Sequence, residues 1–164
     1  MNNKGNHRLL EILRSEGINL LFGNPGTTEL AIMEAIGSQK YIKYILGLQE
    51  SIVVAMADGY ARASGQLSAA NVHVAPGLGN AMGSLYNAKF YGSPIILTAG
   101  QQEIGHGLME PMLYDSLVPI ASPLVKWAFE VQRVQDLERV VRRAAKIALT
   151  PPTGPVFISL PGDI

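Results

Sequence analysis

The chain has 164 residues, of which 48% are hydrophobic and 16% charged, with 13 basic residues balancing 13 acidic ones and no cysteine. That composition is rich enough to build one hydrophobic core, which excludes a disordered chain, and its charge balance supplies no basic field for a nucleic-acid backbone. The lack of cysteine removes disulfides, thiolate nucleophiles and thiolate metal sites, and fits a reducing compartment.

The opening Met1-Asn2-Asn3-Lys4-Gly5-Asn6 is polar and leads into an amphipathic stretch, Leu9, Leu10, Ile12 and Leu13, so it reads as neither a signal-peptide core nor a membrane span. A cytoplasmic protein is the expectation. Gly17 ends that first helix, and the apolar run Ile18 to Phe22 predicts a strand that stops at Gly23-Asn24-Pro25-Gly26. Thr27 or Thr28 is the expected N-cap of a helix carrying Leu30, Ile32, Met33 and Ile36. A second strand is expected at Tyr44 to Leu48. A helix is then expected from Glu50 to about Ala63, with Ile52, Val53, Met56, Ala57 and Tyr60 on one face and Asp58 four residues before Arg62.

A third strand at Ser68 to Val74, a glycine-rich turn at Pro76 to Gly79, a helix to about Tyr91 and a fourth strand at Pro94 to Ala99 continue the alternation. The stretch from Gly100 to Pro123 has no clean period and predicts an irregular loop with short helical turns. A strand at Val125 to Phe129, a helix from Asp136 to Leu149 and a strand at Val156 to Leu160 complete the pattern. Arg139, Arg142, Arg143 and Lys146 are expected on the solvated face of that last helix. Short apolar strands alternating with helices predict an α/β fold, a three-layer α/β/α arrangement around a parallel sheet of about six strands. The ending Pro161-Gly162-Asp163-Ile164, just after a buried-looking strand, reads as a domain boundary, so residues 1–164 are expected to form one domain.

In such a sheet, ligands lie outside the carboxyl ends of the strands. Those ends carry Asn24-Pro25-Gly26-Thr27, Gln49-Glu50, His73 with Gly77-Leu78-Gly79-Asn80, and Gly100-Gln101-Gln102. A carboxylate, an imidazole, a hydroxyl and carboxamides can therefore meet on one rim. Each also has a plainer reading: Glu50 complements a helix dipole, His73 is a hydrogen-bonded structural histidine, Thr27 is a cap, and Gly77 and Gly79 permit close helix-sheet approach. His7 and His106 stand in no partner pattern. The segment Gly77 to Gly83 misses the dinucleotide-binding glycine spacing, and Ala99-Gly100-Gln101 offers no acidic residue for a ribose. A P-loop, a nucleophile elbow and metal-ligand spacings are absent from the sequence.

Phe22-Gly23-Asn24-Pro25-Gly26, Leu48-Gln49-Glu50, Ala57-Asp58-Gly59-Tyr60-Ala61 and Gly79-Asn80-Ala81-Met82-Gly83 together resemble the N-terminal pyrimidine-binding domain of thiamine diphosphate-dependent enzymes, over nearly the whole chain. Asn71-Val72-His73, Thr98-Ala99-Gly100-Gln101-Gln102 and Leu124-Val125-Lys126-Trp127 resemble the benzoylformate decarboxylase branch most, and acetolactate synthases less. Where that branch has a serine after Gly-Asn-Pro-Gly, this chain has Thr27, which keeps the hydroxyl and adds a methyl.

The resemblance implies non-oxidative decarboxylation of a small 2-keto acid, with Glu50 hydrogen-bonding a pyrimidine nitrogen of thiamine diphosphate. It implies His73 as a proton donor or relay. Asn24, Pro25, Gly26, Gly79 and Asn80 would lie along the cofactor, and Thr27, His73 and Gln101 along the substrate. It also implies a diphosphate-binding domain, in the same enzyme or a partner subunit, that brings Mg2+ through a Gly-Asp-Gly motif this chain lacks, and hence a homo-oligomer, a dimer or a tetramer. Carboligation in the manner of acetolactate synthase, or a non-catalytic oligomerisation or regulatory role, are the alternatives.

Overall fold

The computed structural model describes residues 5–164. The element order is α1 (Gly5–Ser15), β1 (Leu20–Gly23), α2 (Leu30–Gly37), β2 (Lys43–Leu46), α3 (Glu50–Ser64), β3 (Ser68–Val72), α4 (Val74–Tyr91), β4 (Ile95–Gln101), α5 (Leu117–Ala121), β5 (Ala128–Glu130), α6 (Leu137–Leu149) and β6 (Val156–Pro161). The six strands form one sheet in the order β2-β1-β3-β4-β6-β5, and every neighbouring pair is parallel. This is the expected three-layer α/β architecture. Among the described residues no helix is long and apolar enough to cross a membrane.

Strand alternation divides the core in two. Leu21, Ala69, Ile96 and Ile158 face Leu9, Leu10 and Leu13 of α1 and Val141 and Ala144 of α6. Phe22, Ala70, Leu97 and Phe157 face Val53 and Ala57 of α3, Leu78 and Leu85 of α4, and Leu117. Each fully buried leucine or phenylalanine contributes about 1.5–3 kcal/mol, so these two layers fix how the helix termini project over the sheet's carboxyl edge. Asp58 and Arg62 do approach, at 4.0 Å, but Asp58 is buried and also accepts from the Ser93 hydroxyl, which ties α3 to the turn before β4. The arginines of α6 do face solvent, where Arg142 bonds Glu138 and Glu16 while Arg139 bonds Asp136.

Two local expectations are corrected. Pro76 to Gly79 is no turn: it lies inside α4, which starts at Val74 with His73 as its N-cap residue. Proline is tolerated in a helix's first turn because no intrahelical partner awaits its missing N–H, so the glycines that suggested a loop sit within the helix instead. Neither Thr27 nor Thr28 is an N-cap. Gly26 caps a 3-10 turn at Thr27–Glu29, and the Glu29 side chain accepts from the Gly26 N–H at 2.8 Å. The long irregular stretch is as expected, with a 3-10 turn at His106–Met109 and the five-residue α5.

Candidate functional site

The chain runs from β1 outward to β2 and then crosses back to β3 on the other side of β1. The strand order therefore reverses at β1, and the crevice above β1 and β3 is where such a fold receives a ligand. Three connections open there: Asn24 to Gly26 after β1, Gln49-Glu50 after β2, and His73 after β3.

Glu50 is the first residue of α3, and Gln49 caps that helix by accepting from the Ser51 N–H at 2.6 Å. The helix terminus directs the carboxylate into the crevice, where it is 7% exposed and favoured by the positive end of the helix dipole. Asn24 Nδ2 donates to Glu50 Oε1 at 3.1 Å and Asn80 Nδ2 to Oε2 at 3.0 Å, so one amide holds each oxygen. Gly77 forms the wall beside it: a Cβ there would stand 3.2 Å from Glu50 Oε1 and 3.5 Å from the His73 Cβ. Gly79 is exposed, and a Cβ on it would meet nothing. Of the two glycines read as aids to helix-sheet approach, one makes room for a carboxylate and the other opens to solvent.

His73 sits opposite, with its side chain 22% exposed. Its Nδ1 lies 2.8 Å from Glu29 Oε2 and 3.1 Å from the Thr28 hydroxyl. Glu29 is fully buried, and its acceptor positions are filled: Oε2 by the Gly26 N–H and His73, Oε1 by the Gly100 N–H at 2.9 Å and the Thr28 O–H at 2.8 Å. A carboxylate only accepts, so the hydrogen between His73 and Glu29 belongs to Nδ1. Nε2 has no hydrogen-bond partner among the described residues. Two glycines make this packing possible, because a Cβ on Gly26 would overlap the His73 ring and one on Gly100 would overlap Glu29 and Thr28. Val74, immediately after His73, has a φ of +42°, a left-handed conformation that a β-branched residue adopts only at a cost of about 1–3 kcal/mol. Strain of that kind collects where a backbone is held for function.

The structure thus brings together Asn24, Pro25, Gly26, Glu50, His73 and Asn80. Thr27 is exposed on the 3-10 turn above them. Gln101 is buried, and its amide is engaged by the backbone: Nε2 donates to the Asp115 carbonyl and Oε1 accepts from the Gln102 N–H, each at 2.8 Å. It anchors the irregular segment to the end of β4. Sequence reasoning missed Glu29 and Thr28. The available signal was a glutamate three residues after Gly26, the spacing of a capping box, at the foot of the loop that closes the crevice. Among the described residues no group of three or more histidine and acidic side chains is placed to hold a metal ion.

The model of the family described as thiamine pyrophosphate enzyme, N-terminal TPP binding domain, matches residues 3–115. The chain is 44% identical over 154 residues to benzoylformate decarboxylase of Pseudomonas aeruginosa, covering 93% of this chain and 29% of that enzyme. It is 33% identical over 162 residues to the acetolactate synthase large subunit of Haemophilus influenzae, covering 97% of this chain and 28% of that one. A thiamine diphosphate-dependent 4-hydroxybenzoylformate decarboxylase of Rhodococcus jostii RHA1 superposes with a TM-score of 0.92 at 38% identity, over 98% of this chain and 30% of that structure. The chain therefore spans less than a third of the length of these relatives. With the reversal of strand order, the buried glutamate at the second strand end and this match in view, the chain belongs to the thiamine pyrophosphate enzyme family, as an N-terminal TPP binding domain.

Proposed function

We propose that residues 1–164 act as the pyrimidine-binding domain of a 2-keto acid decarboxylase of the benzoylformate decarboxylase kind, a lyase of the cytoplasm. The observation that carries this is the Glu50 carboxylate at the start of α3, buried and held between two amides with Gly77 packed close beside it. The fit to a pyrimidine is chemical. Each Glu50 oxygen has one donor and keeps acceptor capacity for a ring nitrogen.

When bound, thiamine diphosphate supplies the electron sink for loss of carbon dioxide from a 2-keto acid. The chain's own residues do the rest. Glu50 takes a hydrogen bond from a pyrimidine ring nitrogen, and Asn24 and Asn80 keep its carboxylate in plane. His73 presents Nε2 to the reacting end and gives or takes a proton there, with Nδ1 fixed on Glu29. Thr27, on its exposed turn, meets the substrate carboxylate or carbonyl. The diphosphate and its Mg2+ are held by a second domain, in the same polypeptide or a partner subunit of a homo-oligomer, and this chain alone is inactive. The greater likeness to a benzoylformate decarboxylase than to an acetolactate synthase favours decarboxylation over carboligation.

In the complete enzyme, Glu50→Gln is expected to lower turnover at least a hundredfold, on the order of 3 kcal/mol of barrier, and to slow exchange of the cofactor's thiazolium proton, read by NMR in deuterated water. Unchanged exchange would remove Glu50 from the role. Product analysis on pyruvate and on an aryl 2-keto acid separates aldehyde from acetolactate.

A further inference from the structure

Among the described residues, two buried polar side-chain atoms have no hydrogen-bond partner, the Tyr44 hydroxyl and Asn71 Oδ1. Such atoms are rare in folded proteins, and each calls for an explanation. These two lie together. Gly23, Asn71 and Thr98 are register partners across β1, β3 and β4, so their side-chain positions point to one face of the sheet. That face also carries His73, two residues beyond Asn71, and Gly100, two beyond Thr98 and directly beneath Glu29. Tyr44 reaches in from β2, and its hydroxyl fills the space a Cβ on Gly23 would occupy. The hydroxyl thus stands beside the strand position next to Asn71, and no direct hydrogen bond joins the two atoms, which a single bridging water would satisfy together.

The chemistry is complementary. The tyrosine offers an O–H, and Asn71 offers a bare carbonyl oxygen because its Nδ2 already donates to Thr98 Oγ1 at 3.0 Å. Thr98 Oγ1 in turn donates to the Ala70 carbonyl, which fixes the direction of that chain of bonds and hence the orientation of the Asn71 amide. The Asn71 backbone carbonyl accepts the Asn24 N–H at 3.2 Å. Asn71 thus lies beneath both arms of the site, the asparagine that holds Glu50 and the histidine held by Glu29.

We infer that one ordered internal water accepts from the Tyr44 hydroxyl and donates to Asn71 Oδ1, and that through this bridge Tyr44 is a positioning residue for Asn24 and His73. The water follows from the orphaned pair alone, whereas the positioning role rests on the reading of Glu50 and His73 given above. Crystal structures of the complete enzyme and of its Tyr44→Phe variant, at a resolution that orders single waters, test the first part. The expected result is a water within hydrogen-bond distance of both atoms, lost in Tyr44→Phe while the ring stays in place.

A dry gap, or a direct tyrosine-asparagine bond in the parent enzyme, overturns it without need of any variant. For the second part, Tyr44→Phe is expected to lower kcat severalfold with KM little changed, and to shift the 15N resonance of His73 Nδ1. If the water is lost and both readouts stay as in the parent, Tyr44 is not a positioning residue. Retained activity in His73→Ala would instead count against the reading of the site, and would leave the water untouched.

Discussion

The two arms of the site are built on opposite plans. Glu50 is held by side-chain amides from two other elements, at the mouth of the crevice, where either amide can turn to water if the carboxylate is removed. His73 is held by a carboxylate with no solvent exposure, whose remaining acceptor positions are closed by backbone N–H groups and a hydroxyl. The first hold is made between side chains alone; the second joins three segments of chain, partly through their backbones. On the proposed reading, Glu50 would meet a ligand and His73 would hold a proton at a fixed point, and the two surroundings differ accordingly.

That contrast can be broken by experiment. Glu29→Ala is expected to have the largest effect on stability, about 3–5 kcal/mol, because it strands buried donors on Gly26 and Gly100 as well as on His73. Glu50→Ala is expected to cost under about 1 kcal/mol, since the donors it releases can reach solvent. Urea unfolding of both variants decides it, and equal losses would erase the distinction between the arms. Of intermediate size is Gly100→Ala, expected to cost about 1–3 kcal/mol by forcing Glu29 and Thr28 aside.

A paired substitution in α4 sharpens the geometry further. Gly77→Ala crowds Glu50 and is expected to weaken cofactor affinity in calorimetry with the complete enzyme, whereas Gly79→Ala enters open space and is expected to stabilise the helix by up to about 1 kcal/mol. The smallest effect is expected away from the site. Arg142 and Arg8 hold the Glu138 carboxyl below its usual range, so what it contributes is present above the ordinary carboxylate pKa and fades as pH falls through the lowered one. Glu138→Gln should lower the melting temperature slightly at neutral pH and not at all in strong acid.

Much of this was legible in the sequence, and the gaps have a common cause. Strand and helix identities follow from apolar periodicity, which packing on both sheet faces reinforced. That Glu50, Asn24 and Asn80 meet was legible because the fold class directs their positions to the carboxyl edge. Glu29 was harder to read, because half of its partners are backbone N–H groups, which leave no trace in residue identity, and its capping-box spacing pointed to a helix start rather than to His73. The glycines of α4 misled for a related reason. Gly77 reads as flexibility, yet it is a place where a neighbouring carboxylate needs the room. Asn71 entered only as part of a motif with His73, since its side-chain contacts depend on a register that the folded sheet defines.

The sheet order has one more consequence, for how the chain is made. β6 lies between β4 and β5, and among the described residues β5 has no other strand partner. Until Val156–Pro161 is synthesised, β5 has nowhere to bond, and the edge of β4, an apolar strand buried along its whole length in the finished fold, stays open. An unpaired apolar edge is a template for pairing with other chains. The emerging polypeptide is therefore most prone to aggregate after Gln101 and before Val156, and substitutions that weaken β6 should show first as poor soluble yield.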